Sequence, residues 1–139
     1  MKTARIQPNH ISRNSFQWIL HQALVADERF VYRGLIGSDK GNTAAIEKVA
    51  MVKGDADIAQ TLDVWAELGI QCLGFFQFEE DGVSQALLDA MPAQYAVLKV
   101  RLAEKGRLDL LAHFYDKEVG SVVKLNLDLI EDGQQDTVV

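Results

Sequence analysis

Apolar residues recur along this chain with two different periods, and the switches between them mark its elements. Phe16, Ile19, Leu20, Ala23 and Leu24 fall on one face of a helix running to about Ala26, with Ser12 placed to cap it. Asp27-Glu28-Arg29 ends that pattern. Phe30 to Ile36 reads as a strand stopped by Gly37, and Ser38-Asp39-Lys40-Gly41-Asn42 as a turn by composition. Ala45 to Val52 reads as a further strand before the turn Lys53-Gly54-Asp55. Asp55 or Asp57 then caps a second helix, with Ile58, Leu62 and Trp65 on one side and Gly69 at its end. Ile70 to Phe78 is apolar and aromatic without a charge, as expected of a central strand buried on both faces. Ser84 opens a short helix through Met91, closed by Pro92.

Tyr95 to Leu102 alternates, with Ala96, Leu98, Val100 and Leu102 on one side and Lys99 and Arg101 on the other. Leu108 to Tyr115 and Ser121 to Ile130 form a hairpin joined by Asp116 to Gly120. In its second arm Val123, Leu125, Leu127 and Leu129 alternate with Lys124, Asn126 and Asp128, the pattern of a half-buried strand. An edge strand is expected around Ala4 to Ile6. A helix between the second and third strands allows a parallel crossover, whereas the hairpin is antiparallel. The expected fold class is α/β (α+β): a single domain over residues 1–130 with a central mixed β-sheet flanked by helices, then a polar C-terminal tail over 131–139.

Composition adds exclusions. At 139 residues the chain is long enough for one real core. A net charge of −6 argues against a nucleic-acid partner and against an anionic membrane surface. A lone cysteine, Cys72, excludes an internal disulfide and a multi-cysteine zinc site. Residues 1–10 hold Lys2, Arg5, Gln7, Asn9 and His10 without an apolar stretch, so no secretion signal is expected. No apolar run approaches the roughly 20 residues that span a bilayer. A cytoplasmic location is the expectation.

The candidate chemistry centres on Ile70 to Gly82 and the helix that follows. Gln77 and Glu79 are two apart on a strand and share a face, while Asp89 lies one helix later. Such oxygen donors suit Mg²⁺ or Ca²⁺, but Glu79, Glu80 and Asp81 also read simply as a solvated loop. Ser84 reads as a helix cap rather than a nucleophile. None of the three histidines falls in the segment. His10 lies in a polar N-terminal stretch and is expected to be exposed, His21 lies at the boundary of the first helix, and His113 on a strand where a cross-strand partner could hold it. No Ser-His-Asp set assembles. Cys72, inside an apolar strand, is expected to be an inert thiol. Gly34-Leu35-Ile36-Gly37 lacks the third glycine of a phosphate loop.

Element order and several local strings resemble the JAMM/MPN (JAB-like) family, the zinc-dependent isopeptidase fold, over roughly residues 11–130. The strings are Phe30-Val31-Tyr32-Arg33-Gly34-Leu35-Ile36-Gly37, then Gly74-Phe75-Phe76-Gln77-Phe78-Glu79-Glu80, then Ser84-Gln85-Ala86-Leu87. The resemblance implies an MPN-like, cytidine-deaminase-like architecture. It also locates what is missing. The family's two histidine ligands fall on Gln77 and Glu79 and its proline on Glu80. Its aspartate ligand falls on Leu87, two residues before Asp89. Its catalytic glutamate falls on Val31 or Phe30, depending on which glycine sets the register, and Glu28 fits neither.

Zinc hydrolysis needs three good ligands, a water position and a base, and a carboxamide is a poor zinc ligand. No cofactor is therefore expected. The resemblance implies a non-catalytic interaction or scaffold module, with Gln77, Phe78, Glu79, Ser84 and Asp89 as a remnant binding cleft. Its partner would be another protein or a second copy in a homodimer, with a peptide lying along a sheet edge by strand addition. The alternative is a metal-dependent (iso)peptidase-type hydrolase with a rearranged site built on Glu79, Glu80 and Asp89. A chain of this order also resembles roadblock-like and profilin-like scaffolds, which are mostly interaction domains as well.

Overall fold

A computed structural model describes residues 7–25, 33–39, 44–79, 82–102 and 107–130. In chain order the elements are β1 (His10–Ser12), α1 (Arg13–Val25), β2 (Arg33–Asp39), β3 (Ala45–Ile46), β4 (Lys48–Met51), α2 (Asp55–Leu68), β5 (Ile70–Phe78), α3 (Gln85–Ala90), β6 (Gln94–Leu102), β7 (Leu108–Asp116), β8 (Ser121–Lys124) and β9 (Asp128–Ile130). Six strands form one mixed sheet in the order β4-β2-β5-β6-β7-β8. β5 and β6 are parallel and joined through α3; every other neighbouring pair in that sheet is antiparallel. Three short strands make a second, all-parallel sheet, β3-β1-β9. The expected mixed sheet flanked by helices is what the chain forms. Among the described residues no helix is long and apolar enough to cross a membrane.

Both faces of the large sheet are buried. On the α1 side Ile19, Ile36, Phe76, Ala96, Leu98, Val100 and Phe114 form one cluster. On the α2–α3 side Leu35, Ile58, Trp65, Phe75, Leu87, Tyr95 and Val97 form another. β5 sends Phe75 one way and Phe76 the other, and both are fully buried. That is why its sequence carries no polar alternation over this stretch. Phe76 meets Trp18 of α1 edge-on, with ring centroids 6.1 Å apart. The ring also needs the bare backbone of Gly34 on β2, since a Cβ there would strike Phe76 and the Ala50 carbonyl.

Several boundaries differ from the sequence expectation. β2 continues through Gly37 to Asp39, because both its edges are paired there: Gly37 with Lys48 of β4 and Cys72 of β5. Pairing of Ser38 and Asp39 with Gln71 and Ile70 of β5 then outweighs their turn composition. The register slips between Ile36 and Gly37, leaving Leu73 as an extra residue on β5. The strand expected over 45–52 divides in two, since β3 pairs with β1 in the small sheet while β4 pairs with β2. The N-cap of α2 is Gly54, with no side-chain cap, and Asp57 instead accepts from the Lys53 N–H at 3.0 Å.

The second hairpin arm is also broken. β8 ends at Lys124, Leu125 donates its N–H to the Ala112 carbonyl at 2.9 Å, and β9 leaves to pair with β1. Leu125 is buried, whereas Val123 and Leu129 are 39% and 42% exposed, so the arm is not one half-buried strand. The expected edge strand at Ala4–Ile6, residues 30–32 of the expected second strand, the 40–42 turn residues and the 131–139 tail lie outside the described residues.

Candidate functional site

The carboxyl ends of the parallel strands β5 and β6 are where an open sheet of this kind offers a site. Three residues lie side by side there: Arg33 of β2 opposite Gln77 of β5, and Gln77 opposite Lys99 of β6. Side chains of register partners lie on the same face of a sheet. Two residues away along each strand stand Leu35, Phe75 and Val97, all in the α2–α3 cluster. Arg33, Gln77 and Lys99 therefore form the polar row that continues the apolar face packed by α2 and α3. Gln77 is 1% exposed, and its Nε2 donates to the Phe78 carbonyl at 3.3 Å. Arg33 and Lys99 are half-buried.

The remaining candidate residues are spread around this row. Glu79 follows on the same side as Gln77, exposed, with its N–H donating to the Val100 carbonyl at 2.9 Å. Phe78 faces the other way and packs against the α1-side cluster. Ser84 caps α3: its Oγ accepts from the Leu87 N–H at 3.4 Å and donates to Asp55 Oδ1 at 3.4 Å, tying the start of α3 to the start of α2. Asp89 is exposed and accepts from Gln85 Nε2 at 2.8 Å along its own helix. Leu87, where the resemblance puts an aspartate ligand, is fully buried in the α2–α3 core.

The residues at these positions do not fit a zinc ion. Gln77 is a carboxamide, a poor zinc ligand, whose Nε2 donates to main chain; Leu87 has no donor atom, and Asp89 sits on the exposed side of its helix. Among the described residues no three His, Cys, Asp or Glu side chains converge.

The histidines and the cysteine lie elsewhere. His10 is half-buried in β1 between Ala45 and Asp128, not in an exposed tail, because the small sheet closes over it. His21 is exposed on α1. His113 stands opposite Val97 and Lys124, and its Nδ1 is buried without a hydrogen-bond partner, so the expected cross-strand bond does not form. Burial pushes the Cys72 thiol up to about 11, partly offset by a backbone hydrogen bond with Gly74. The row partners Arg33 and Lys99 were not singled out from the sequence. Lys99 was visible as the polar side of an alternating strand, but only strand register brings it and Arg33 beside Gln77.

No family model matches this sequence, and no curated protein is similar to it. Among solved structures, the chain is similar to the solution structure of protein DSY2949 from Desulfitobacterium hafniense, with a TM-score of 0.64 and 16% identity over 88% of this chain and 93% of that one. It is also similar to AF2198, a JAB1/MPN domain protein from Archaeoglobus fulgidus, with a TM-score of 0.47 and 14% identity over 89% and 99% of the two chains. The chain is a mixed α/β protein. It shares its fold with DSY2949.

Proposed function

We propose that this chain is a non-catalytic protein-interaction or scaffold module of MPN-like type that works without a bound metal. What carries the reading is the content of the strand end: where a hydrolytic centre of that type would need imidazoles and a carboxylate, the chain has the carboxamide of Gln77 and Leu87 in the core. Neither supplies a ligand that would hold a Lewis acid and activate its water. The partner is another protein chain, either a second copy or a different subunit, in the cytoplasm. One edge of the large sheet is β8, where Val122 is 52% exposed and Val123 39%, the kind of edge to which a strand adds. The net charge of −6 disfavours nucleic acid and anionic membrane as partners.

A calorimetric titration with zinc and with manganese, paired with a peptide- and isopeptide-cleavage assay, tests the reading. No stoichiometric uptake at micromolar metal and no cleavage is the expected result. Tight one-to-one uptake together with cleavage abolished by a chelator would establish the rearranged hydrolase instead. Light scattering at high protein concentration then separates the two forms of scaffold: a mass of one chain assigns the module to a different subunit.

A further inference from the structure

Four cations among the described residues have clear partners. Lys48 pairs with Asp39 at 3.8 Å, and Arg101 and Arg107 both reach Asp109 at 3.6 Å. Lys117 is held by the Leu88 and Met91 carbonyls at 2.8 and 2.9 Å. Arg33 and Lys99 differ. Both are half-buried, both stand on the α2–α3 face at the strand ends, and neither has an acidic partner among the described residues. Gln77 lies between them in the same row and is buried. Neighbouring strands are about 4.8 Å apart, so the two cations flank Gln77 across about 10 Å of sheet. An Arg and a Lys side chain are each long enough to reach one small group over that distance. Two partly desolvated cations side by side repel each other and have lost hydration, and an anion between them relieves both costs.

We propose that Arg33 and Lys99, on either side of the buried Gln77, bind a single carboxylate. The inference deepens the interaction-module reading by naming what this surface recognises. The chain's charge of −6 opposes a polyanion, while a monoanion meets little of that field. A planar guanidinium takes a carboxylate through two parallel N–H donors, and a lysine adds a point charge. The acids nearest in the next row are Glu79 and Asp109. Asp109 is committed to Arg101 and Arg107, and Glu79 is exposed at the outer rim.

An NMR titration of the full, isotope-labelled chain with N-acetyl-leucine and with its primary amide tests this. The acid is expected to give saturable shifts at the Arg33 and Lys99 side chains and at the Gln77 backbone, and the amide none. R33Q and K99Q are each expected to weaken binding about tenfold or more, the loss of one charge-assisted contact. K48Q, on a different edge of the sheet, leaves it unchanged. The acid–amide contrast in the unaltered chain needs no variant, so a variant that folds poorly does not blunt the test. Equal shifts with acid and amide, no saturation with the acid, or tighter binding of inorganic phosphate would overturn the proposal. A pentapeptide acid ending in leucine separates the sources: tighter binding than N-acetyl-leucine assigns the site to a peptide C-terminus, equal binding to a free small acid. Failure here leaves the metal and cleavage results standing, and cleavage activity would sink the module reading without touching carboxylate binding.

Discussion

At Gly74 the β5 backbone comes so close to β6 that an added Cβ would collide with the Ala96 main chain. Beside it, Cys72 donates weakly toward the Gly74 carbonyl at 3.5 Å. The thiol is held neutral by its surroundings, with its pKa raised from 9.0 to about 11. A group raised in this way favours the folded state while protonated. Its contribution is complete below pH 9 and is lost as pH rises through 11, because the unfolded chain releases the proton first. Burial raises Tyr95 too, which adds to the fall in the same direction. The urea midpoint is therefore expected to hold flat from neutral pH to about 9 and then decline. C72A is expected to decline less steeply, whatever its starting stability. Parallel slopes for the two proteins would show that the thiol carries no such linkage. The same shift leaves about a hundredfold less thiolate at pH 8 than an unperturbed thiol, which agrees with the inert cysteine read from its apolar strand.

Among the elements, the serine caps of α1 and α3 were legible, and they differ in how much they hold. Ser12 is buried, its Oγ accepting the Ser15 N–H at 3.2 Å and donating to the Ser15 hydroxyl at 2.9 Å. Ser84 makes longer contacts of 3.4 Å in a more exposed place. S12A removes a cap and strands a second buried hydroxyl, so a loss of about 1–2 kcal/mol is expected. S84A is expected to cost under about 1 kcal/mol, helped by Lys117, whose Nζ still closes the other end of α3 on the Leu88 and Met91 carbonyls. Urea denaturation of the two variants checks the order, and S84A proving the costlier change would contradict it. The cap of α2 was misplaced for a physical reason. Asp55 and Asp57 both have the right chemistry, yet Asp57 is turned back onto the Lys53 N–H, and the acids serve the helix dipole from the first turn.

On the scale of the whole molecule, periodicity exposed what local burial dictates and missed what distant pairing dictates. β5 was plain because both its faces are covered, and β6 because its alternation survives in Ala96, Leu98 and Val100. The small sheet was invisible: β1, β3 and β9 are three, two and three residues long, and they exist only because widely separated segments meet. The polar row was hidden in the same way, since Arg33 and Lys99 join Gln77 only through register. This contrast predicts an order of opening. Amides from Phe75 to Gln77 and from Val97 to Lys99 lie between two buried faces and two paired neighbours, so they are expected to exchange with solvent only on global unfolding. β9 rests on one parallel neighbour, β1, through three register pairs, and two of its three residues are exposed. Its amides are expected to exchange through a smaller opening that frees the chain after Leu125 and leaves the large sheet intact. Native-state hydrogen exchange across low denaturant reads this directly, with the β9 amides at a lower opening free energy than those of β5 and β6. If β9 instead merged with the central strands into one isotherm, the two sheets would form a single cooperative unit and the small sheet would be as integral to stability as the large one.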